Sequence, residues 1–223
     1  MINVLKKIIQ DKEETLKFVK KNNSLDSLEN KIKTISTFLD FKDAIKSNKG
    51  VSLISEIKKA SPSAGVLVKD FNHLDIAKMY IDNGATCLSI LTEEKHFLGK
   101  LDYMSDIKNK FKIPLLAKDF FIDPYQIALS KSFGCDCVLI IIAALDKKQA
   151  DEIYAESLKH NLSVIVEVHN EKEAETALKY EKALIGINNR NLKTLDISIN
   201  NTISIFEILK NHNGPLISES GIK

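Results

Sequence analysis

Short apolar runs rich in β-branched residues recur along most of this chain, and the segments between them carry helical spacing. The runs are VSLISEI (51–57), TCLSILT (86–92), IPLLAKDF (113–120), DCVLIII (136–142), SVIVEV (163–168), ALIGINN (183–189) and PLISES (215–220). A strand that is apolar on both faces must be covered on both, and helices between strands supply the cover, so the pattern is that of a parallel sheet. The helical segments are punctuated. DIAKMYIDNG (75–84) puts Ile76, Met79 and Tyr80 on one face and stops at Asn83 and Gly84. Asp123 and Pro124 supply an N-cap followed by proline at the first helical position, and Asn170 with Glu173 resembles a capping box opening EKEAETALKY (171–180).

A doubly wound sheet and a (β/α)8 TIM barrel both satisfy this alternation. No Gly-x-Gly-x-x-Gly or phosphate-cradling Walker loop follows any run, and polar residues gather at the C-terminal ends of the strands, where a barrel builds its site. The expected fold is therefore an α/β barrel over residues 49–223. An N-terminal helical extension over residues 1–48 would carry helical patterns at 1–20, 27–40 and 42–47. Seven strands are visible, and the chain stops three residues after Ser220. The expectation is that the eighth βα unit is missing from this chain; otherwise the fold is not a closed barrel, since seven parallel strands leave unpaired backbone at both edges.

Lysine and arginine total 32 against 30 aspartates and glutamates, spread evenly, so no basic stripe points to nucleic acid or to a membrane surface. The N-terminal MINVLKKIIQDKEETLKFVKKNN is amphipathic, and no apolar stretch is long enough for a signal peptide or a membrane span. These features point to a cytoplasmic protein with a small-molecule partner. Cys87, Cys135 and Cys137 lie in apolar runs without zinc-like spacing and read as buried free thiols.

The charged strand ends are the candidate chemistry. Glu56 and Lys58 share a face of their strand while Lys59 points the other way, a structural or solvent-facing position. On that segment alone, an acid–base pair and a strand-end salt bridge are balanced readings. Lys118 and Glu167 then add lone charges within apolar runs, and an unpaired buried charge costs several kcal/mol. With Asn188, Arg190 and Glu219 they would converge on one rim, as an active site or as an interior salt-bridge network. Ser61 in SPSAG (61–65) and the Ser220–Gly221 segment suggest an anion, because barrels bind phosphate through backbone N–H groups in their late loops; a plain turn is the other reading of SPSAG.

EIKKASPSAG (56–65), ILTEEKHFLG (90–99), LLAKDFFIDPYQI (115–127), GINNRNL (186–192) and ISESGI (217–222), in this order, resemble the indole-3-glycerol phosphate synthase family over residues 53–223. The resemblance implies a carbon–carbon lyase of tryptophan biosynthesis that needs neither cofactor nor metal. It would convert 1-(2-carboxyphenylamino)-1-deoxyribulose 5-phosphate to indole-3-glycerol phosphate, carbon dioxide and water. It implies Lys118 as general acid, its pKa lowered by desolvation and by Lys58, Glu167 as general base, and Glu56 with Lys58 as a dehydration pair. Asn188 and Glu219 would orient substrate hydroxyls and catalytic side chains, with Arg190 as a supporting polar contact. Phe97 and Phe120 would line the anthranilate pocket, although ordinary core packing is the other reading for both. Phosphate would lie against Ser61, Ser220 and Gly221 with Lys58 or Lys59 nearby. A monomer and an association with other pathway enzymes both stay open, and a non-catalytic phosphate-ligand-binding barrel or partner subunit is the alternative that a missing eighth unit favours.

Overall fold

The structure, a computed structural model, describes residues 4–192 and 194–222. Met1, which opens the first expected helix, and Lys223, where the resemblance ends, lie outside the described residues. Along the chain the elements are α1 (Val4–Asn22), α2 (Leu25–Lys33), α3 (Phe41–Ser47), β1 (Ile54–Ile57), the short pair β2 (Ala60–Ser61) and β3 (Gly65–Val66), α4 (His73–Asp82) and β4 (Cys87–Leu91). They continue with α5 (Asp102–Lys110), β5 (Leu115–Lys118), α6 (Tyr125–Lys131), β6 (Cys137–Ile141), α7 (Lys147–Lys159), β7 (Ser163–Val168), α8 (Glu171–Ala177), β8 (Leu184–Asn188), α9 (Asn200–Leu209) and β9 (Leu216–Glu219).

All seven long-range strands join one sheet in the order β1-β4-β5-β6-β7-β8-β9, and every neighbouring pair is parallel. Spatial order follows chain order throughout, with no reversal of the kind a doubly wound sheet needs. The central strands β4 and β6 are buried at every residue, whereas β9 is only half-buried. That difference fits its place at a sheet edge: among the described residues β1 and β9 each have one pairing neighbour.

The core follows the strand periodicity. Leu88, Ile90, Leu115, Ile140, Ile165, Ile185 and Ile187 are buried, and Met104, Ile107, Ile127, Ile153, Ile205 and Leu209 close over them from the helices. The three cysteines are free and buried here, and burial pushes the Cys87 thiol up to about 12.

Two local expectations are corrected. The second helical pattern, expected to run to residue 40, ends at Lys33, because the Thr34 hydroxyl donates to the Lys31 carbonyl while Asp40 accepts from the Asp43 N–H and opens α3 instead. Asn170 does cap α8, but Glu173 does not complete a capping box; its carboxylate accepts from the His169 N–H and the Asn170 side-chain amide. The reciprocal box is at Asp146 and Gln149, opening α7.

The N-terminal helices join the body through buried polar contacts as well as apolar ones. Asp136, buried at the start of β6, accepts from the Leu39 and Leu115 N–H groups and from Lys108 at 2.5 Å. Phe41 is fully buried in the main core, and Leu28 meets Ala128 and Leu129 of α6. Helix α1 reaches the C-terminal side of the sheet, where Lys12 pairs with Asp119 at 2.6 Å, just past β5.

Candidate active site

Parallel strands put all their C-terminal ends on one side, and the candidate residues collect there. Lys118 closes β5, Asn188 closes β8, Glu219 closes β9, and Glu167 lies one residue short of the end of β7. The Lys118 ammonium sits between two carboxylates, 2.7 Å from Glu167 Oε2 and 2.9 Å from Glu219 Oε2. Asn188 donates from Nδ2 to Glu167 Oε1 at 3.1 Å. The register places Glu167 opposite Gly186 and Asn188 opposite Glu219. A Cβ on Gly186 would collide with Glu219 Oε1 and lie 3.1 Å from Ile165 Cγ2. The glycine in ALIGINN is thus the space that the Glu219 carboxylate occupies, a role the sequence reading did not give it.

Glu56, on β1, and Lys58, one residue past its end, are both half-buried and form an ion pair with each other. Lys59 turns away and lies 6.0 Å from the centroid of the Phe71 ring, a weak cation–π contact. Ser61 sits in the β2–β3 ladder opposite Gly65, and its Oγ accepts from the Ala64 N–H. Phe97 and Phe120 come together as a half-buried pair with centroids 6.1 Å apart. The turn carrying Phe97 is fixed by buried Glu93, whose carboxylate accepts from the N–H groups of Lys95, His96 and Phe97.

The remaining candidates bind to the scaffold. The Arg190 guanidinium donates to the Leu195 carbonyl at 3.2 Å, so the side chain ties its own loop, and the Arg190 backbone N–H donates to Asn188 Oδ1. The Ser220 hydroxyl donates to the same Oδ1 at 2.9 Å. Asn189, buried and absent from the sequence reading, donates to the Ser218 hydroxyl and to the Ser220 carbonyl. These contacts hold Ser220 at φ 68°, a conformation that is rare for a residue with a Cβ, and Gly221 follows at φ 73°.

The electrostatics overturn one expectation. Lys118 was expected to have a lowered pKa. Burial does pull it down, but the charges of Glu167, Glu219 and Glu56 outweigh that and hold it well above the ordinary lysine value. Lys58 cannot dominate, because its own partner is Glu56. Burial pushes Glu219 up to about 6 against the pull of Lys118, with Glu167 and Glu56 adding repulsion. Burial also opposes ionisation of Glu167, but Lys118 and His169 prevail and keep it well below the usual carboxylate range.

Two groups near the rim escaped the sequence reading. His169, the residue after β7, lies between Glu167 and Glu173. Asp119 accepts from the Thr92 hydroxyl at 2.9 Å as well as pairing with Lys12, and beside that pair Asp11 of α1 meets His96 at 2.8 Å and pairs with Lys95. A His or Asp inside a loop has no local signal, since its partners arrive from distant elements. Among the described residues no group of three or more His, Cys, Asp or Glu side chains is placed to hold a metal ion, and no helix is long and apolar enough to cross a membrane.

A family model described as indole-3-glycerol phosphate synthase matches residues 5–223. The indole-3-glycerol phosphate synthase of Laribacter hongkongensis (strain HLHK9) is 38% identical over 225 residues, covering 100% of this chain and 86% of that protein. That of Acinetobacter baumannii (strain ATCC 17978) is 40% identical over 227 residues, covering 100% of this chain and 84% of its own length. Among solved structures, 3-hexulose-6-phosphate synthase from Salmonella typhimurium superposes with a TM-score of 0.56 at 12% identity, over 77% of this chain and 80% of that one, a likeness of fold alone.

Proposed function

The chain belongs to the indole-3-glycerol phosphate synthase family, and from that premise we propose that the charged rim of its sheet performs the family's ring closure. The activity is that of a carboxy-lyase in tryptophan biosynthesis. Its substrate is 1-(2-carboxyphenylamino)-1-deoxyribulose 5-phosphate. The ring carbon bearing the carboxylate attacks the ketone carbon, and the ketone oxygen takes a proton and becomes a hydroxyl. Carbon dioxide then leaves that ring carbon, and its bonding pair restores the aromatic ring. Finally the hydroxyl departs as water, which takes a proton onto oxygen and removes one from carbon.

The observation that carries the assignment is the Lys118 ammonium held between Glu167 and Glu219. An ammonium there starts protonated, as a general acid for the ketone oxygen must. Glu167, kept ionised beside it, is the base, and the Glu56–Lys58 pair serves the dehydration. Asn188 and Glu219 orient these groups. The half-buried Phe97–Phe120 pair supplies an apolar wall for the aromatic ring. The phosphate is placed against Ser61 and the Ser220–Gly221 backbone, with Lys58 as the nearby cation. The (β/α)8 reading, with residues 1–48 laid over 49–223, draws support from the sheet's unbroken chain-order pairing and from the Lys12–Asp119 contact. The free thiols fit a cytoplasmic enzyme.

Turnover tests the reading. Purified protein given the carboxyphenylamino-deoxyribulose phosphate is expected to release carbon dioxide and a fluorescent indole product in equal amounts, and Lys118→Ala is expected to lower kcat by roughly 10²–10⁴. An Ala variant with the wild-type rate overturns the role of Lys118. Substrate binding without turnover in the wild type favours a non-catalytic barrel.

A further inference from the structure

One buried titratable side chain touches the cluster without a part in the chemistry above. His169 follows β7 directly, two residues after Glu167, and its side chain is 7% exposed. Its Nδ1 lies 3.2 Å from Glu173 Oε2. Its Nε2 lies 3.1 Å from Glu167 Oε1, close enough to pair but turned off the line of a hydrogen bond, so this buried nitrogen has no aligned partner. Both nitrogens therefore face carboxylate oxygens, which accept and never donate when ionised. A neutral imidazole carries one N–H and would leave a lone pair against one of the carboxylates; the imidazolium carries two and fits both.

The charged groups around the ring are Glu167 from β7 and Glu173 from α8, with Lys118 from β5 on the far oxygen of Glu167. Burial alone would lower the pKa of the imidazole, but the two carboxylates raise it to about 9. The Glu173 carboxylate is itself fixed by the His169 N–H at 2.8 Å and by the Asn170 amide at 2.6 Å, at the N-terminus of α8.

We propose that His169 is a positioning residue for the reaction, an imidazolium backed by Glu173 that holds Glu167 Oε1 and so fixes the orientation and charge of the catalytic base. Glu167 then has a fixed partner on each oxygen, His169 and Asn188 on Oε1 and Lys118 on Oε2. The inference rests on the reading of Glu167 as the base. Deprotonating His169 would remove a proton that lies against Glu167 and replace attraction with lone-pair repulsion. Turnover should therefore decline as His169 loses its proton, with substrate binding unchanged.

The test is kcat and KM for the wild type, His169→Gln and Glu173→Gln between pH 6 and 10. Wild-type kcat is expected to fall with an inflection near pH 9, the value to which the two carboxylates raise His169. In His169→Gln kcat should drop roughly ten- to a hundredfold, the size of a lost charge-assisted contact, with KM nearly constant and the inflection gone. Glu173→Gln keeps the imidazole and removes one of its two carboxylates, so its inflection should move down by about one pH unit or more. It also carries the test if His169→Gln does not fold. Variant profiles that superimpose on the wild type after scaling overturn the proposal, as does a change confined to KM. Wild-type turnover in Glu167→Gln would instead remove the reading of Glu167 as base; an inactive Glu167→Gln beside unshifted His169 and Glu173 profiles removes only this inference.

Discussion

Replacing Lys118 with methionine keeps most of the side-chain volume and deletes the charge that sits between Glu167 and Glu219. In the wild type the Lys118 ammonium draws Glu219 down against burial, and the balance falls at about pH 6. Without the ammonium, Glu219 and Glu167 face each other with only His169 and Asn188 in support, and one of them should stay protonated well above neutral pH. The folded variant then binds about one more proton than the folded wild type between pH 6 and pH 8, while the unfolded chains titrate alike there. By linkage, the destabilisation relative to wild type should grow by about 1.4 kcal/mol per pH unit across that window and should level off to a constant offset towards pH 5.5, where Glu219 is mostly protonated in both proteins and the lost Lys118–Glu167 pair remains. Urea unfolding of both proteins at pH 5.5, 6.5 and 7.5 measures this directly. A stability difference that stays flat with pH would show that the ammonium is not what holds these carboxylates, and the electrostatic reading of the rim would fall.

Gly186→Ala should push the Glu219 carboxylate out of the place it occupies over β8, because the new methyl group meets Glu219 Oε1 and Ile165 Cγ2. The carboxylate can swing away, so the fold should lose only about 1–2 kcal/mol while kcat falls by on the order of tenfold; a wild-type kcat would refute the contact. Lys12→Met strands Asp119 beside the site, and the two side chains are each 10% exposed. It should cost about 3 kcal/mol in a denaturant titration, and a change under about 0.5 kcal/mol would mean that this pair does not anchor α1. His169 has its folded pKa raised from 6.5 to about 9, so its stabilisation is complete below pH 6.5 and is lost as pH rises through 9. The stability of the wild type minus that of His169→Gln should therefore fall by about 3 kcal/mol from pH 6.5 to above 9, and equal pH slopes in thermal melts would contradict it.

The sheet was legible because period and burial speak locally. Val164, Ile165 and Val166 are a strand whatever lies beside them, and the parallel order follows from the helices between such runs. Lys118 and Glu167 stood out for the same reason, as charges inside apolar runs. The sign of the Lys118 pKa shift was not legible, since it depends on carboxylates 49 and 101 residues away in the chain that only the assembled sheet brings within reach. His169 was missed because a histidine at a strand end is ordinary until Glu167 and Glu173 are seen on either side of it. The side chain of Arg190 and the hydroxyl of Ser220 show the converse. Both belong to conspicuous motifs, and in the structure both are bound to the scaffold, Arg190 to its own loop through the Leu195 carbonyl and Ser220 to Asn188 Oδ1 at the end of β8.

Glu167 offers the most direct measurement, because it is the carboxylate to which Lys118 and Asn188 donate and beside which His169 lies at ion-pair distance. Single-turnover conversion of the carboxyphenylamino-deoxyribulose phosphate, followed by indole fluorescence and carbon dioxide release, should be readily seen with the wild type and reduced roughly 10²–10⁴-fold in Glu167→Gln, at unchanged substrate affinity. Equal rates in the two proteins would contradict the assignment of the chemistry to this rim.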